Sequence, residues 1–181
     1  MKKRTGLSTV ITTLILLVVG VLLASVVSYY ATNVTMTRTE TEDLRFSKKH
    51  VWVNDTGAIA AFKIQNLGGR DILLDKVVVR GVESHWSNIW IYRVPSGISI
   101  DGDLNITSYA TLTGDTVEIT GFNYTLCTSD IPLISGGEVF VYTKGPGNIQ
   151  MDDIGTTVSF GVYTSNAQYI TECNVESATT Q

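Results

Sequence analysis

The 181-residue chain has few charged residues, and this shortage excludes several classes of protein. Charged residues make up 17% of the chain and hydrophobic residues 44%. This balance is too apolar for a disordered chain and too polar for a protein with many membrane spans. The formal net charge is −4, and an acidic chain lacks the basic face that binds nucleic-acid phosphates. We therefore expect a globular domain with no nucleic-acid partner.

Residues that carry out catalysis or bind metals are also scarce. The two histidines, His50 and His85, lie in ordinary strand-like contexts, where we expect structural roles. The chain has neither a Gly-x-Ser-x-Gly motif nor a phosphate-binding glycine loop. Asp101, Asp103 and Asn105 alternate as in a calcium loop, but the glycine and the final glutamate of an EF-hand are absent, so we expect a polar turn. The sequence predicts no enzyme, no metal and no cofactor.

The two cysteines, Cys127 and Cys173, are too few for a cysteine-based zinc site, and no Cys-x-x-Cys pair is present. Both follow the long apolar segment described next and are predicted to lie outside the cell. Oxidising conditions there favour disulfides. We expect a disulfide between Cys127 and Cys173, and the alternative is two separate buried thiols.

One uncharged segment near the N-terminus determines the class of protein. Residues 7–31 read LSTVITTLILLVVGVLLASVVSYYA. A helix of about 25 residues crosses a hydrocarbon core of about 30 Å. The basic residues at 2–4 should stay in the cytoplasm and direct the rest of the chain outward. A secretory signal peptide fits less well, because its apolar core is shorter and ends at small residues, whereas Tyr29 and Tyr30 end this run.

A row of mostly small residues runs along this predicted helix. Gly20, Ala24 and Ser28 recur at a spacing of four, and the row extends back through Leu16 to Thr12. Residues at this spacing share a helix face, where small side chains let a neighbouring backbone approach closely. A helix that is apolar all round must be buried in lipid or among copies of itself. An ordinary lipid-facing anchor is the alternative.

The residues before the apolar run carry a family resemblance. Residues 3–11 read KRTGLSTVI, which resembles the class III signal peptides of archaeal type IV pilins. In that family a membrane-embedded prepilin peptidase removes the basic leader and leaves the apolar helix on the mature protein. The resemblance implies a cut between Gly6 and Leu7. Thr5 stands where a basic residue is common, so a cut after Arg4 is the alternative.

The resemblance implies a structural subunit of an extracellular filament on the cell surface. The precursor would lie in the cytoplasmic membrane with its N-terminus inside, and the mature helices would bundle into the filament core. Implied partners are further copies of the chain, the prepilin peptidase, an assembly ATPase and a membrane platform protein. Residues 6–11 look more like those of adhesive pilins than those of archaellins, so adhesion is favoured. An archaellin-type motility subunit and an uncleaved, membrane-anchored extracellular binding module are the alternatives.

The pattern changes to short β-type runs separated by glycine-containing turns after about residue 45. The sequence therefore predicts an α+β protein, in which a long N-terminal hydrophobic helix precedes an all-β, immunoglobulin-like sandwich. The predicted segments are a cleaved signal peptide at 1–6, a helix with a short stalk at 7–45, and the sandwich at 46–181. One of the predicted strands covers residues 106–112.

Four Asn-x-Ser/Thr sequons follow the start of the apolar segment, at Asn33, Asn54, Asn105 and Asn123. In the predicted topology they face the extracellular glycosylation machinery. We expect N-linked glycans at these positions to coat the filament with a hydrated layer.

Overall fold

A computed structural model describes residues 4–178, with the side chains in that range except those of residues 4–7 and 38–40. The chain divides into two compact units, Met1–Thr41 and Glu42–Gln181. The first unit contains one helix, and the second is built mainly of β-strands. The predicted α+β class is confirmed.

The helix, α1, runs from Arg4 to Glu40 and is 37 residues long. Its sequence contains no proline, so no backbone donor is missing from the hydrogen-bond ladder. Within the segment predicted as a helix with a short stalk at 7–45, the helix continues as far as Glu40. The first strand begins at Leu44, slightly before the domain boundary predicted at residue 46.

Eleven strands form the second unit within the described residues. Two short 3-10 helices lie among them, at Trp86–Asn88 and Met151–Asp153. The strands are β1 (Leu44–Asn54), β2 (Gly57–Asn66), β3 (Ile72–Val79), β4 (Val82–Ser84), β5 (Ile89–Val94), β6 (Thr116–Ile119), β7 (Phe122–Leu126), β8 (Ile131–Leu133), β9 (Glu138–Lys144), β10 (Thr157–Thr164) and β11 (Gln168–Ser177).

The strands form two halves joined by one parallel pairing. One half has the order β4-β3-β10-β11, with β8 also paired to β3, and the other has the order β1-β2-β9-β5-β7-β6. β1 and β11 pair in parallel from Val51–Val175 to Val53–Ser177. The other pairings among the described strands are antiparallel. This parallel pairing, which we call the joint, makes the two halves one continuous hydrogen-bonded sheet.

Both halves contribute side chains to one apolar core. Phe62 on β2 and Phe160 on β10 are fully buried, and their ring centroids lie 5.2 Å apart. Leu74 on β3 and Val141 on β9 belong to the same buried cluster. The two halves therefore share this core. The immunoglobulin-like sandwich stays a prediction.

The opposite face of β1, β2, β5 and β9 carries a second core. It contains the buried residues Trp52, Trp90, Phe140 and Tyr142, which alternate along the strands with residues of the first core. Strands that are buried on both faces read as continuous apolar runs, and β2 and β9 do so.

Residues 95–115 cover part of this second core without forming a helix or a strand, and we call them the strap. The strap inserts Leu104 and Leu112 into the core. The predicted strand at 106–112 is wrong, because sheet side chains rather than a neighbouring strand bind the strap's carbonyl groups. Lys48 donates hydrogen bonds to the carbonyls of Ile100 and Gly102, and the Tyr142 hydroxyl donates to that of Asn105 (2.7 Å). Lys144 donates to the carbonyl of Leu112 (2.8 Å), and the Trp90 indole N–H donates to that of Gly114 (3.0 Å).

Candidate functional site

The most distinctive surface of the protein is the apolar part of α1. Within Ser8–Thr37 an 18-residue window has a mean hydropathy of 2.9, and none of the side chains from Ser8 to Thr37 is buried. At 1.5 Å per residue these residues span about 45 Å, enough to cross a bilayer core. Among the described helices, this is the one long and apolar enough to do so. A soluble protein does not leave an apolar surface of this size in water, so lipid or protein must cover it.

Hydroxyl groups on α1 donate hydrogen bonds to carbonyl oxygens of the same helix. Such bonds satisfy the hydroxyl donors without water, which an apolar environment requires. The bonds within the apolar run are Thr12 to Ser8 (2.9 Å), Thr13 to Val10 (2.9 Å) and Ser25 to Val21 (2.8 Å). These threonine and serine residues are therefore compatible with burial in lipid or in a helix bundle.

The predicted packing row of Thr12, Leu16, Gly20, Ala24 and Ser28 lies entirely on exposed helix. Apart from its chain neighbours and the adjacent backbone of the helix, no heavy atom lies within 4 Å of the position that a Cβ of Gly20 would occupy. The row therefore has an open notch at its centre, into which another backbone could fit. Packing of a second helix along this row stays a prediction.

The predicted cleavage site lies in the first turns of α1. The backbone at Gly6 and Leu7 is helical, but their side chains lie outside the described part, as do residues 1–3 of the leader. Cleavage after Gly6 or after Arg4 stays a prediction.

Three of the four predicted glycosylation sites are exposed. Asn33 lies on α1, Asn105 on the strap and Asn123 on β7. The side-chain amide nitrogen of Asn105 donates a hydrogen bond to the Thr120 hydroxyl at 3.1 Å. Asn105 and Asn123 are accessible to a modifying enzyme, whereas Asn33 lies within the part of α1 that lipid or protein must cover. Modification of all three stays a prediction.

The fourth sequon, at Asn54, lies in the turn between β1 and β2 and is half-buried. Its Oδ1 atom accepts hydrogen bonds from the Thr56 backbone N–H (3.1 Å), the Thr56 hydroxyl (2.6 Å) and the Gly57 N–H (3.1 Å). Gly57 has a φ of 148°, which favours glycine. The asparagine carbonyl thus stabilises the turn, while glycosylation would use the amide nitrogen.

The predicted disulfide is not formed: Cys127 and Cys173 are free thiols. Cys127 directly follows β7, and Cys173 lies on β11. Cys127 belongs to the first core and Cys173 packs against it, while strands β1, β2, β9 and β5 lie between β11 and β7 in the sheet order. Burial raises the pKa of each thiol to about 11, although Arg93 acts against this at Cys127 and Lys49 at Cys173. The structure therefore corresponds to the alternative of two separate thiols.

The acidic residues of the strap contact separate partners. Asp101 accepts a hydrogen bond from the Ser99 hydroxyl at 3.0 Å, whereas Asp103 contacts the ring of His50 at 3.1 Å. No group of three histidine, cysteine or acidic side chains in the described residues is arranged to hold a metal ion. Asp101 therefore stabilises a local turn, and Asp103 attaches the strap to β1 through His50.

Sequence reasoning missed the contacts of His50. The imidazole lies between Asp103 of the strap and Glu176 of β11, and it stacks on Trp52 with a centroid distance of 4.9 Å and an interplanar angle of 4°. Burial raises the pKa of Asp103, but hydrogen bonds from His50 and the Leu104 N–H and the charges of His50 and Lys48 together lower it below its ordinary value. No sequence motif connects positions 50, 103 and 176.

No protein-family model matches the chain, and no curated protein is significantly similar to it. The function is therefore inferred from the apolar helix, the residues that precede it, and the β domain.

Proposed function

We propose that this chain is the structural subunit of an extracellular filament of the archaeal type IV pilus kind, in which α1 forms the core and the β domain is exposed. The observation that carries this proposal is the apolar helix at Ser8–Thr37, none of whose side chains is buried. Its surface needs lipid before assembly and copies of itself afterwards. The resemblance of residues 3–11 to class III signal peptides distinguishes this role from that of a plain anchor.

The small-residue row supplies a reason for helices to associate. Moving a helix from lipid into a bundle gains little hydrophobic free energy, because lipid is already apolar. Close packing at Gly20 and Ala24 would provide dispersion contacts that lipid chains provide less well. An assembly ATPase and a membrane platform protein, implied by the resemblance, would extract the subunits from the membrane. One repeated, non-closing contact between copies then generates an open helical polymer.

The second unit suits an exposed domain because it contains two apolar cores of its own. We propose that it lies outside the cell on the filament surface and contributes to adhesion, with N-linked glycans at the predicted sequons. Before assembly, the precursor lies in the cytoplasmic membrane with residues 2–4 inside.

The mature N-terminus tests this proposal. The protein is isolated from cells that contain the prepilin peptidase, and its mass and N-terminal sequence are determined. We expect a chain that begins at Leu7, or at Thr5 if the cut follows Arg4. Recovery of the protein only with Met1 and its basic leader intact would favour the membrane-anchored binding module.

A matched pair of variants sharpens this test. Gly6→Val places a branched side chain at the proposed cut and should leave the precursor in the membrane without filaments. Thr13→Val, a similar change further along α1, should leave processing unchanged. Normal processing of the Gly6→Val chain would contradict cleavage at this position.

A further inference from the structure

His50 contacts two acidic side chains through its two ring nitrogens. Its Nε2 atom lies 3.1 Å from Oδ1 of Asp103, and its Nδ1 atom lies 3.3 Å from Oε2 of Glu176. The side chain of His50 is 20% exposed, whereas those of Asp103 and Glu176 are 64% and 49% exposed. Both carboxylates are thus held at a mostly enclosed imidazole.

These contacts join three separate parts of the β domain. His50 lies on β1, one residue before the joint begins at the Val51–Val175 pair. Glu176 belongs to β11, the partner strand in the joint, and Asp103 belongs to the strap. One side chain therefore connects the joint between the two halves of the sheet to the segment that covers the second core.

An irregularity in β1 places a second cation in the same region. The register between β1 and β2 shifts between Ser47 and His50, and Lys48 has a φ of 51°. Such a bulge redirects the side chains of a strand. Lys48 Nζ donates to the strap carbonyls of Ile100 and Gly102. Lys48 therefore fixes the strap independently of the charge on His50.

The charge on His50 determines how many of its contacts can be hydrogen bonds. An ionised carboxylate only accepts, so both ring nitrogens can donate only when the imidazole carries two protons. A neutral imidazole has one donor, and its other nitrogen would direct a lone pair at a carboxylate. The structure shows acceptors at both nitrogens, which fits the charged ring.

We propose that His50 is a proton-dependent latch that fastens both the strap and β11 to β1 when charged, and loses its hydrogen bond to one of them when neutral. Histidine is the side chain that ordinarily changes charge between pH 5 and 8. The pKa of Asp103 lies below its ordinary value, so its carboxylate is ionised across this range. The latch is therefore closed at pH 5, opens as the pH rises, and does not require filament assembly.

Other charged groups lie on the three segments that the latch connects. On β1 these are Lys48 and Lys49, and Lys49 Nζ donates to the Thr171 hydroxyl (2.7 Å) and the Glu172 carbonyl (2.8 Å) of β11. Asp101 on the strap and Glu172 on β11 carry further carboxylates close in sequence to Asp103 and Glu176. Because histidine is the side-chain type that ordinarily changes charge between pH 5 and 8, a change in this interval points to His50.

Hydrogen exchange measured by mass spectrometry on the full-length protein in detergent tests the latch. Protection factors, corrected for the intrinsic pH dependence of exchange, are compared at pH 5 and pH 8. We expect the protection factors to fall about three- to fivefold at pH 8, the size expected for a partly exposed ion pair. The fall should affect the strap around residues 99–106, β11 around residues 173–178, or both. Equal protection at both pH values would overturn the proposal.

Two variants separate His50 from the rest of the protein. His50→Gln should show the lower protection at both pH values, whereas His85→Gln changes the other histidine, which is exposed, and should keep the wild-type pH response. A pH response in His50→Gln equal to that of the wild type would also overturn the proposal. Nitrogen NMR of the wild-type imidazole gives an independent readout: two protonated ring nitrogens at pH 5 are expected, and a single one would contradict the latch.

Discussion

Lys63 on β2 and Glu138 on β9 form an ion pair in which Nζ and Oε2 lie 2.6 Å apart. Their side chains are only 11% and 17% exposed, so water screens this pair weakly. Lys63 Nζ also lies 5.9 Å from the ring centroid of Phe140 on β9. Each charge is therefore enclosed with the other as its main compensation.

Removal of either charge should destabilise the β domain. We expect Lys63→Met or Glu138→Gln to lower the free energy of unfolding by about 2 kcal/mol, because each variant leaves the remaining charged side chain enclosed without its partner. This loss is smaller than for a fully buried pair. The double variant should lose less than the sum of the two single losses. Urea unfolding of all three variants measures the coupling, and strict additivity would show that the two side chains do not interact.

Truncation of a side chain in the first core should have a larger effect. Phe62 is fully buried against Phe160, so Phe62→Ala should lower the free energy of unfolding by about 3–5 kcal/mol through lost burial and cavity formation. Ile170→Ala is the control, because Ile170 is 63% exposed and its truncation should have little effect. Similar midpoints of thermal unfolding for the two variants would contradict the described core.

The thiols of Cys127 and Cys173 should react slowly in the folded protein. A rise in thiol pKa from about 9 to about 11 reduces the reactive thiolate about 100-fold at pH 8. Labelling with iodoacetamide, followed by mass spectrometry, should therefore be slow in buffer and complete on both cysteines in guanidinium without reductant. Two unlabelled cysteines in guanidinium would instead reveal the disulfide expected from the sequence.

A larger residue in the notch of α1 should prevent assembly but not membrane insertion. Gly20→Leu fills the open position in the small-residue row and should reduce the filament yield strongly, because helix backbones can no longer approach closely. Leu22→Val, on the opposite side of α1, is the control. Quantification of subunits in the membrane and filament fractions separates the two steps. Normal filament yield from Gly20→Leu would remove this row from the assembly contact.

Local patterns in the sequence predicted most of the elements of the fold. The uncharged run at 7–31 required a helix, and the short β-type runs after about residue 45 indicated strands. Gly145, Pro146 and Gly147 directly follow β9, as expected for glycine-containing turns between strands. Each of these signals lies within a few residues, which is why one sequence was enough to find it.

Features that depend on long-range contacts could not be predicted. The parallel pairing of Val51 with Val175 brings together strands from the two ends of the domain. The apolar residues at 106–112 predict a strand, but this stretch belongs to the strap, whose carbonyl groups are bound by side chains such as that of Tyr142. Short β8 has only three residues, too few to show a period. That Cys127 and Cys173 are unpaired likewise could not be derived from their positions in the chain.

Imaging of purified surface filaments at side-chain resolution tests the central claim most directly. The account predicts filaments whose core consists of α1 from many copies, with Ser8–Thr37 packed against neighbouring helices and the β domain on the outside. Recovery of the native protein solely as single molecules in the membrane, with the basic leader still attached, would contradict it.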